Sequence, residues 1–201
     1  MTSVTISAKD VSELRARTGA GMMDCKRALE EAGGDMDKAG EILRKKGIAK
    51  AEKRAGRTAS QGVVVSYIHH NQQVGVLVEL NSETDFVARN EAFQQLARDI
   101  ALHIASADPI GVSPEDVPAE LVERERRIAE EQVAAEGKPE AVRAKIVDGK
   151  VKKFIAERTL LEQPYVRDDK KTVGELVKEV SGKLGEVVTV KRFARFQVGA
   201  A

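Results

Sequence analysis

The hydrophobic period of the chain changes at Gly62, and this change limits the fold more than any other feature. Beyond it, Val63-Val64-Val65-Ser66-Tyr67-Ile68-His69 is a β-branched run. Asn71-Gln72-Gln73 is a polar turn, after which Val74, Val76, Val78 and Leu80 alternate with Gly75, Leu77, Glu79 and Asn81. Alternation sends successive side chains to opposite faces, so the two runs predict a hairpin with one strongly apolar face. A lone hairpin is marginal in water. A third strand is available at 187–198, where Val188, Val190, Ala194, Phe196 and Val198 share parity. No other strand is evident apart from a short extended piece at 163–166. The expected fold class is α+β, a three-stranded antiparallel sheet covered by helices.

Before Gly62 the spacing is helical. Ser7 with Asp10 forms a capping-box pair, followed by Val11, Leu14 and Thr18 on one face. Met22, Cys25, Leu29 and Ala32 make the inward stripe of a second helix, which Gly33-Gly34 ends. Asp35 caps a third helix with the stripe Met36, Ala39, Ile42 and Leu43, and Gly47 is read as its stop. Three such helices make a minimal bundle, marginal alone. The domains are therefore a three-helix module at 1–50, a basic linker at 51–61 and an α+β core at 62–201. Arg44, Lys45, Lys46, Lys50, Lys53, Arg54 and Arg57 stand against Glu52 around that linker. No aromatic is interleaved to stack on bases, so it reads as a tether rather than an RNA site.

In the core, Phe93, Leu96, Ile100 and Ile104 stripe a helix that Asp108-Pro109 ends. Charged helices at 119–136 and 140–158 pair as a hairpin through Leu121, Val122, Ile128 and Val133 on one and Val142, Ile146, Val147, Val151, Phe154 and Ile155 on the other. Thr172 with Glu175 is a second capping box, opening a helix that ends near Gly185.

Chemistry is sparse. Lys+Arg (33) and Asp+Glu (32) leave a net charge of +1, so a global field for gripping nucleic acid is absent and no direct nucleic-acid partner is expected. Cys25, the one cysteine, excludes an intrachain disulfide and a Cys-based zinc site, and on its apolar stripe it reads as a packed side chain. One thiol, no apolar run near the roughly 20 residues of a membrane helix and no signal-like start at Met1-Thr2-Ser3-Val4-Thr5 point to a cytoplasmic protein without a membrane partner. His69 and His70, read as strand neighbours, face opposite sides and do not clamp one metal. His103, beside Leu102 and Ile104, reads as structural. Gly19-Ala20-Gly21 has no strand before it, and no Gly-Lys-Ser/Thr is present for a phosphate loop. No cofactor, metal or catalytic constellation is expected, so the chain reads as a binding protein and not an enzyme. One oddity remains: Phe86 stands beside Asp85 at a loop apex in a chain with only 3% aromatics. It is either a core residue or an exposed wedge for a partner protein.

Two long strings carry a resemblance. Leu14-Arg15-Ala16-Arg17-Thr18-Gly19-Ala20-Gly21-Met22-Met23-Asp24-Cys25-Lys26-Arg27-Ala28-Leu29 closely resembles the N-terminal signature of the elongation factor Ts family. Thr84-Asp85-Phe86-Val87-Ala88-Arg89-Asn90 resembles that family's second signature, and Gln163-Pro164-Tyr165-Val166 and the end from Phe193 to Gly199 are similar to it too. The resemblance implies a guanine-nucleotide exchange factor for the translational GTPase elongation factor Tu, bound in its GDP and nucleotide-free forms. It implies a UBA-like N-terminal module. It also implies that Asp85 and Phe86, flanked by Thr84 and Val87, enter the GTPase domain near the magnesium and switch region. Arg15, Met22, Met23, Lys26 and Arg54 match contact positions of the module; for Met22 this competes with the inward stripe above.

Many relatives carry two copies of the core unit, with the Ser-Tyr-x-His strand motif and the Thr-Asp-Phe loop in different copies. Here Ser66-Tyr67-Ile68-His69 and Thr84-Asp85-Phe86 share a single copy, as in a short form. A homodimer is therefore expected, with His69 of one subunit supporting the loop of the other. The sheet offers a basis: Phe193 and Phe196 have opposite parity, so one side of the last strand needs cover.

Overall fold

The structure, a computed structural model, describes residues 6–137 and 139–200. They form two compact units. One takes in the chain up to Gly62, Asn81–Phe93 and Val177–Thr189; the other takes in Val63–Leu80, Gln94–Leu176 and the chain from Val190. The class is α+β as expected.

The first unit begins with α1 (Ala8–Thr18), α2 (Met22–Glu31) and α3 (Met36–Glu52). The capping box forms: the Ser7 hydroxyl accepts from the Asp10 N–H at 3.1 Å, and the Asp10 carboxylate accepts from the Ser7 N–H at 3.1 Å. α2 ends where Gly34 N–H donates to Leu29 O and Gly33 N–H to Glu30 O, with Gly33 at φ 63°. That left-handed residue is open to glycine without a Cβ penalty. Val11, Leu14, Cys25, Ala28, Leu29, Ala39 and Leu43 form the buried centre, with Met36 and Ile42 packed against it.

Two expectations change here. Met22 is not inward; it is 40% exposed, because it is the first helical residue, and the buried residues of α2 are Cys25, Ala28 and Leu29. Nor does Gly47 stop α3, which runs on to Glu52 into the stretch read as linker. Ala49, Lys50, Ala51 and Glu52 are strong helix formers and outweigh the roughly 1 kcal/mol cost of one helical glycine. The glycine has a packing reason: it meets Gly182 of α8 (Val173–Leu184).

The sheet consists of β1 (Gln61–Ile68), β2 (Val74–Ser82) and β5 (Val188–Gln197) in the order β1-β2-β5. The hairpin closes with His69 N–H on Val74 O, Gln72 at φ 58° and the Asn71 amide oxygen accepting from Gln73 N–H. Val76, Val78 and Leu80 are buried and Leu77 faces outward, as the alternation predicts. The single face expected for the last strand breaks midway. Val188 and Val190 are buried, but beyond them Phe193 and Arg195 are the half-buried pair while Ala194 and Phe196 are exposed. The alternation slips by one residue after Val190.

Beyond the hairpin come a short helix, α4 (Asp85–Ala88), and α5 (Glu91–Ala107), whose Phe93, Leu96, Ile100 and Ile104 are all buried. α6 (Ala119–Ala135) and α7 (Glu140–Arg158) pack together over Ala129, Val133, Val147 and Val151. Ile128 and Val142, expected in that seam, are 38% and 42% exposed and lie outside its buried centre. A second sheet of β3 (Pro164–Tyr165) and β4 (Asp168–Thr172) corrects the count of strands. β4 reads Asp-Asp-Lys-Lys-Thr and carries no apolar alternation by which to find it. Thr172 and Glu175 then exchange their two capping bonds at 3.0 and 3.1 Å to open α8.

Candidate functional site

β2 delivers the chain to Ser82, and the next residues are held from several directions. Ser82 Oγ donates to Thr84 O at 2.9 Å. Thr84 caps α4, its hydroxyl accepting from Val87 N–H at 3.4 Å. The Thr84 N–H and hydroxyl both donate to Glu186, at 3.0 and 2.6 Å. Glu83 accepts from Val187 N–H at 2.8 Å and lies 3.5 Å from the Arg57 guanidinium. Asp85 pairs with Arg89 at 2.9 Å across the single turn. Ala88 is buried beneath the turn and Val87 is half-buried, while Phe86 projects outward, 82% exposed.

The two readings of Phe86 are thereby decided on position: it is not a core residue. An exposed aromatic on an immobilised turn presents large, rigid, apolar area at little conformational cost. Asp85 beside it adds a charge to the apex, although that carboxylate is engaged by Arg89.

The N-terminal candidates belong to the same unit. Arg15 and Lys26 are exposed, Met23 is 65% exposed, and Lys26 makes only a loose pair with Glu30 at 3.8 Å. Arg54 is half-buried. Beneath them Asp24 accepts from Arg27 at 2.6 Å and Lys50 at 3.0 Å, and these bonds, Lys50 first, hold its carboxyl below the usual range. A cavity of about 350 Å³ lies between the end of α1, the start of α2, α3 and the second half of α8, but Arg15, Met22, Met23 and Lys26 do not line it. Four of the cations that line it are engaged: Arg17 with Asp37, Lys46 with Glu31, Lys50 with Asp24 and Arg44 with Glu179.

His69 belongs to the other unit. It is half-buried, its Nδ1 3.0 Å from the Tyr67 hydroxyl. The expectation that His69 and His70 face apart fails. β1 ends at Ile68, strand alternation no longer applies, and the two rings stand 4.2 Å apart. His103 is buried; Val166 N–H donates to its Nδ1 at 3.2 Å, which leaves Nε2–H to donate to the Gln163 side-chain oxygen at 2.9 Å. Burial pushes its imidazole below the usual histidine range against a smaller upward pull from Gln163. Cys25 is buried with its Sγ 3.7 Å from Ala20 O. Among the described residues no group of three or more His, Cys, Asp or Glu is placed to hold a metal ion, and no helix is long and apolar enough to cross a membrane.

Glu83 and Glu186 are the site residues that sequence reasoning missed. Each is an acid at the end of a regular element, with no periodicity to mark it. Only the fold brings them together.

What the fold and site define is an α+β protein with an exposed aromatic on a braced turn and an N-terminal three-helix bundle. The family model described as Elongation factor TS matches residues 4–200. Elongation factor Ts of Thermosipho melanesiensis is 55% identical over 194 residues, covering 96% of this chain and 99% of that protein. Elongation factor Ts of Desulfosudis oleivorans is 53% identical over 195 residues, covering 97% of this chain and 98% of that protein. Elongation factor Ts of Desulforamulus reducens is 55% identical over 194 residues, covering 96% and 89%. The chain belongs to the elongation factor Ts family.

Proposed function

We propose that this chain is a guanine-nucleotide exchange factor that binds elongation factor Tu and promotes GDP release so that GTP can rebind. It makes and breaks no covalent bond and needs no cofactor. It acts in the cytoplasm by differential binding: a partner that prefers the nucleotide-free GTPase must weaken GDP by the same factor by which GDP weakens it. Disturbing a bound magnesium contributes, because the ion neutralises phosphate charge.

The observation that carries this reading is Phe86, 82% exposed on a turn fastened at Thr84. Thr84, Asp85, Phe86 and Val87 form the wedge. The module at 1–50, joined through the linker at 51–61 to the core at 62–201, adds a second contact surface from Arg15, Met22, Met23 and Lys26, with Arg54 at its edge. Met suits that task because it adapts to an irregular surface.

The working unit is a homodimer of the core. Val64, Ile68 and Phe196 are largely exposed and Leu77 about half. Ile68 lies over Gly75, and Arg192 reaches Glu79 at 2.7 Å, so these residues share the outer face of the sheet. A two-fold contact that buries such a face against itself needs no disulfide. In the dimer, His69 of one subunit supports the Asp85-Phe86 turn of the other. Release of fluorescent GDP from purified elongation factor Tu, with and without the chain, tests the exchange activity. A rate that the chain leaves unchanged overturns it.

A further inference from the structure

We propose that Glu186 positions the Asp85-Phe86 turn for exchange, with Glu83 as its counterpart; the proposal rests on the reading of that turn given above. The Glu186 carboxylate takes two hydrogen bonds from one residue 102 positions away, from the Thr84 N–H at 3.0 Å and the Thr84 hydroxyl at 2.6 Å. One bond from the backbone and one from the side chain of the same residue, each to a different carboxylate oxygen, hold the pair at two points. Thr84 is the N-cap of α4, so whatever fixes Thr84 fixes the turn that carries Asp85 and Phe86. Glu83 returns the arrangement by accepting from Val187 N–H at 2.8 Å. The segment after β2 and the segment before β5 therefore hold each other through residues 83 with 187 and 84 with 186.

The anchor is itself built firmly. Gly185, at φ 78°, turns the chain out of α8 while its N–H donates to Ser181 O at 2.9 Å. Ser181 Oγ then donates to Glu186 O at 2.6 Å. Glu186 thus stands on the end of a twelve-residue helix rather than on another loose loop.

The physical need is plain. A four-residue helix does not hold its own shape, since nucleation costs more than one turn returns. A wedge on a mobile loop would lose its freedom on docking and weaken the complex by that amount. A carboxylate suits the position because it only accepts, and bonds to a charged acceptor are the stronger kind. Glutamine would turn an NH₂ group toward one of the two donors.

The test uses the full chain with Glu186→Ala and Glu186→Gln, each also combined with Phe86→Ala. Exchange on elongation factor Tu, amide hydrogen exchange and thermal melting are read for each. Glu186→Ala is expected to lower GDP-release stimulation by about tenfold or more. In the Phe86→Ala background it should remove less than about a further twofold, because it acts through Phe86. The Thr84 amide should lose protection while that of Leu29 keeps it. Unchanged exchange in Glu186→Ala, an undiminished Thr84 protection, or losses that multiply with Phe86→Ala would overturn the positioning role. Should Glu186→Ala fail to fold, Glu186→Gln, of the same size, gives the same readings. A wild-type chain that does not stimulate release overturns the exchange reading itself and the positioning role with it. A working wild type with an equally working Glu186→Ala overturns the positioning role alone.

Discussion

A methyl group added to Gly182 would stand 2.6 Å from the carbonyl oxygen of Gly47. The two glycines mark where α3 and α8 approach backbone to backbone, and the close fit explains why a helix tolerates a glycine in its interior at both positions. Gly182→Ala should therefore cost about 1–3 kcal/mol, as overpacking does. Gly40, also inside α3, has open space where its Cβ would be, so Gly40→Ala should be neutral or stabilise by up to about 1 kcal/mol. Urea midpoints of the two variants check this. Equal shifts would mean that the glycine contact is not tight.

Phe86→Ala should leave the melting temperature within about 2 °C of wild type, because a largely exposed side chain contributes little to the core. Exchange on elongation factor Tu should fall by about tenfold or more, the loss usual for a central aromatic anchor. Differential scanning calorimetry beside the exchange assay separates the two. A large drop in melting temperature with normal exchange by the remaining folded protein would return Phe86 to the core.

Much of this architecture can be read from the residues alone, and the exceptions share a cause. Periodicity marks α1, α2, α3, α5 and the β1–β2 hairpin because each buries one face, and the caps at Ser7, Asp35 and Thr172 are local chemistry. Gly47 misleads because a glycine that ends a helix and a glycine that admits a neighbouring helix look alike until Gly182 is in place. β4 is invisible because its charged residues pair with β3 without burying an apolar face. Met22 obeys the stripe in number but sits at the first position of α2, beyond the core. At the site, Phe86 is legible as a rare aromatic in a matched motif. Its brace is not, because Glu186 meets Thr84 only through the path of the sheet and α8.

Stability should depend on pH through His103. Burial lowers its folded value below the ordinary 6.5, so near that pH the unfolded chain binds a proton that the folded chain refuses. The contribution is fully present above 6.5 and is lost as pH falls from there through the lower folded value. Asp24, Asp35 and Asp116, whose values are depressed from 3.8, withdraw their stabilisation only below that pH and leave the window clear. Denaturant midpoints between pH 7 and pH 5 should decline in the wild type and flatten in His103→Gln. Parallel slopes would assign the decline to another group.

The outer sheet face gives a separate expectation. Phe196→Asp should convert a dimer to a monomer at micromolar concentration, since a charge on each side of a two-fold patch meets its own copy. Light scattering reads the mass directly. A wild-type monomer with full exchange activity would remove both the dimer and the shared use of His69.

The central claim is that this chain drives GDP off elongation factor Tu by inserting the Phe86 turn. Its most direct test is a stopped-flow measurement of fluorescent GDP release from purified elongation factor Tu as the chain is added. Release should accelerate at substoichiometric amounts of the wild-type chain, and most of that acceleration should vanish with Phe86→Ala. A release rate that stays at its spontaneous value up to an excess of the wild-type chain would contradict the account.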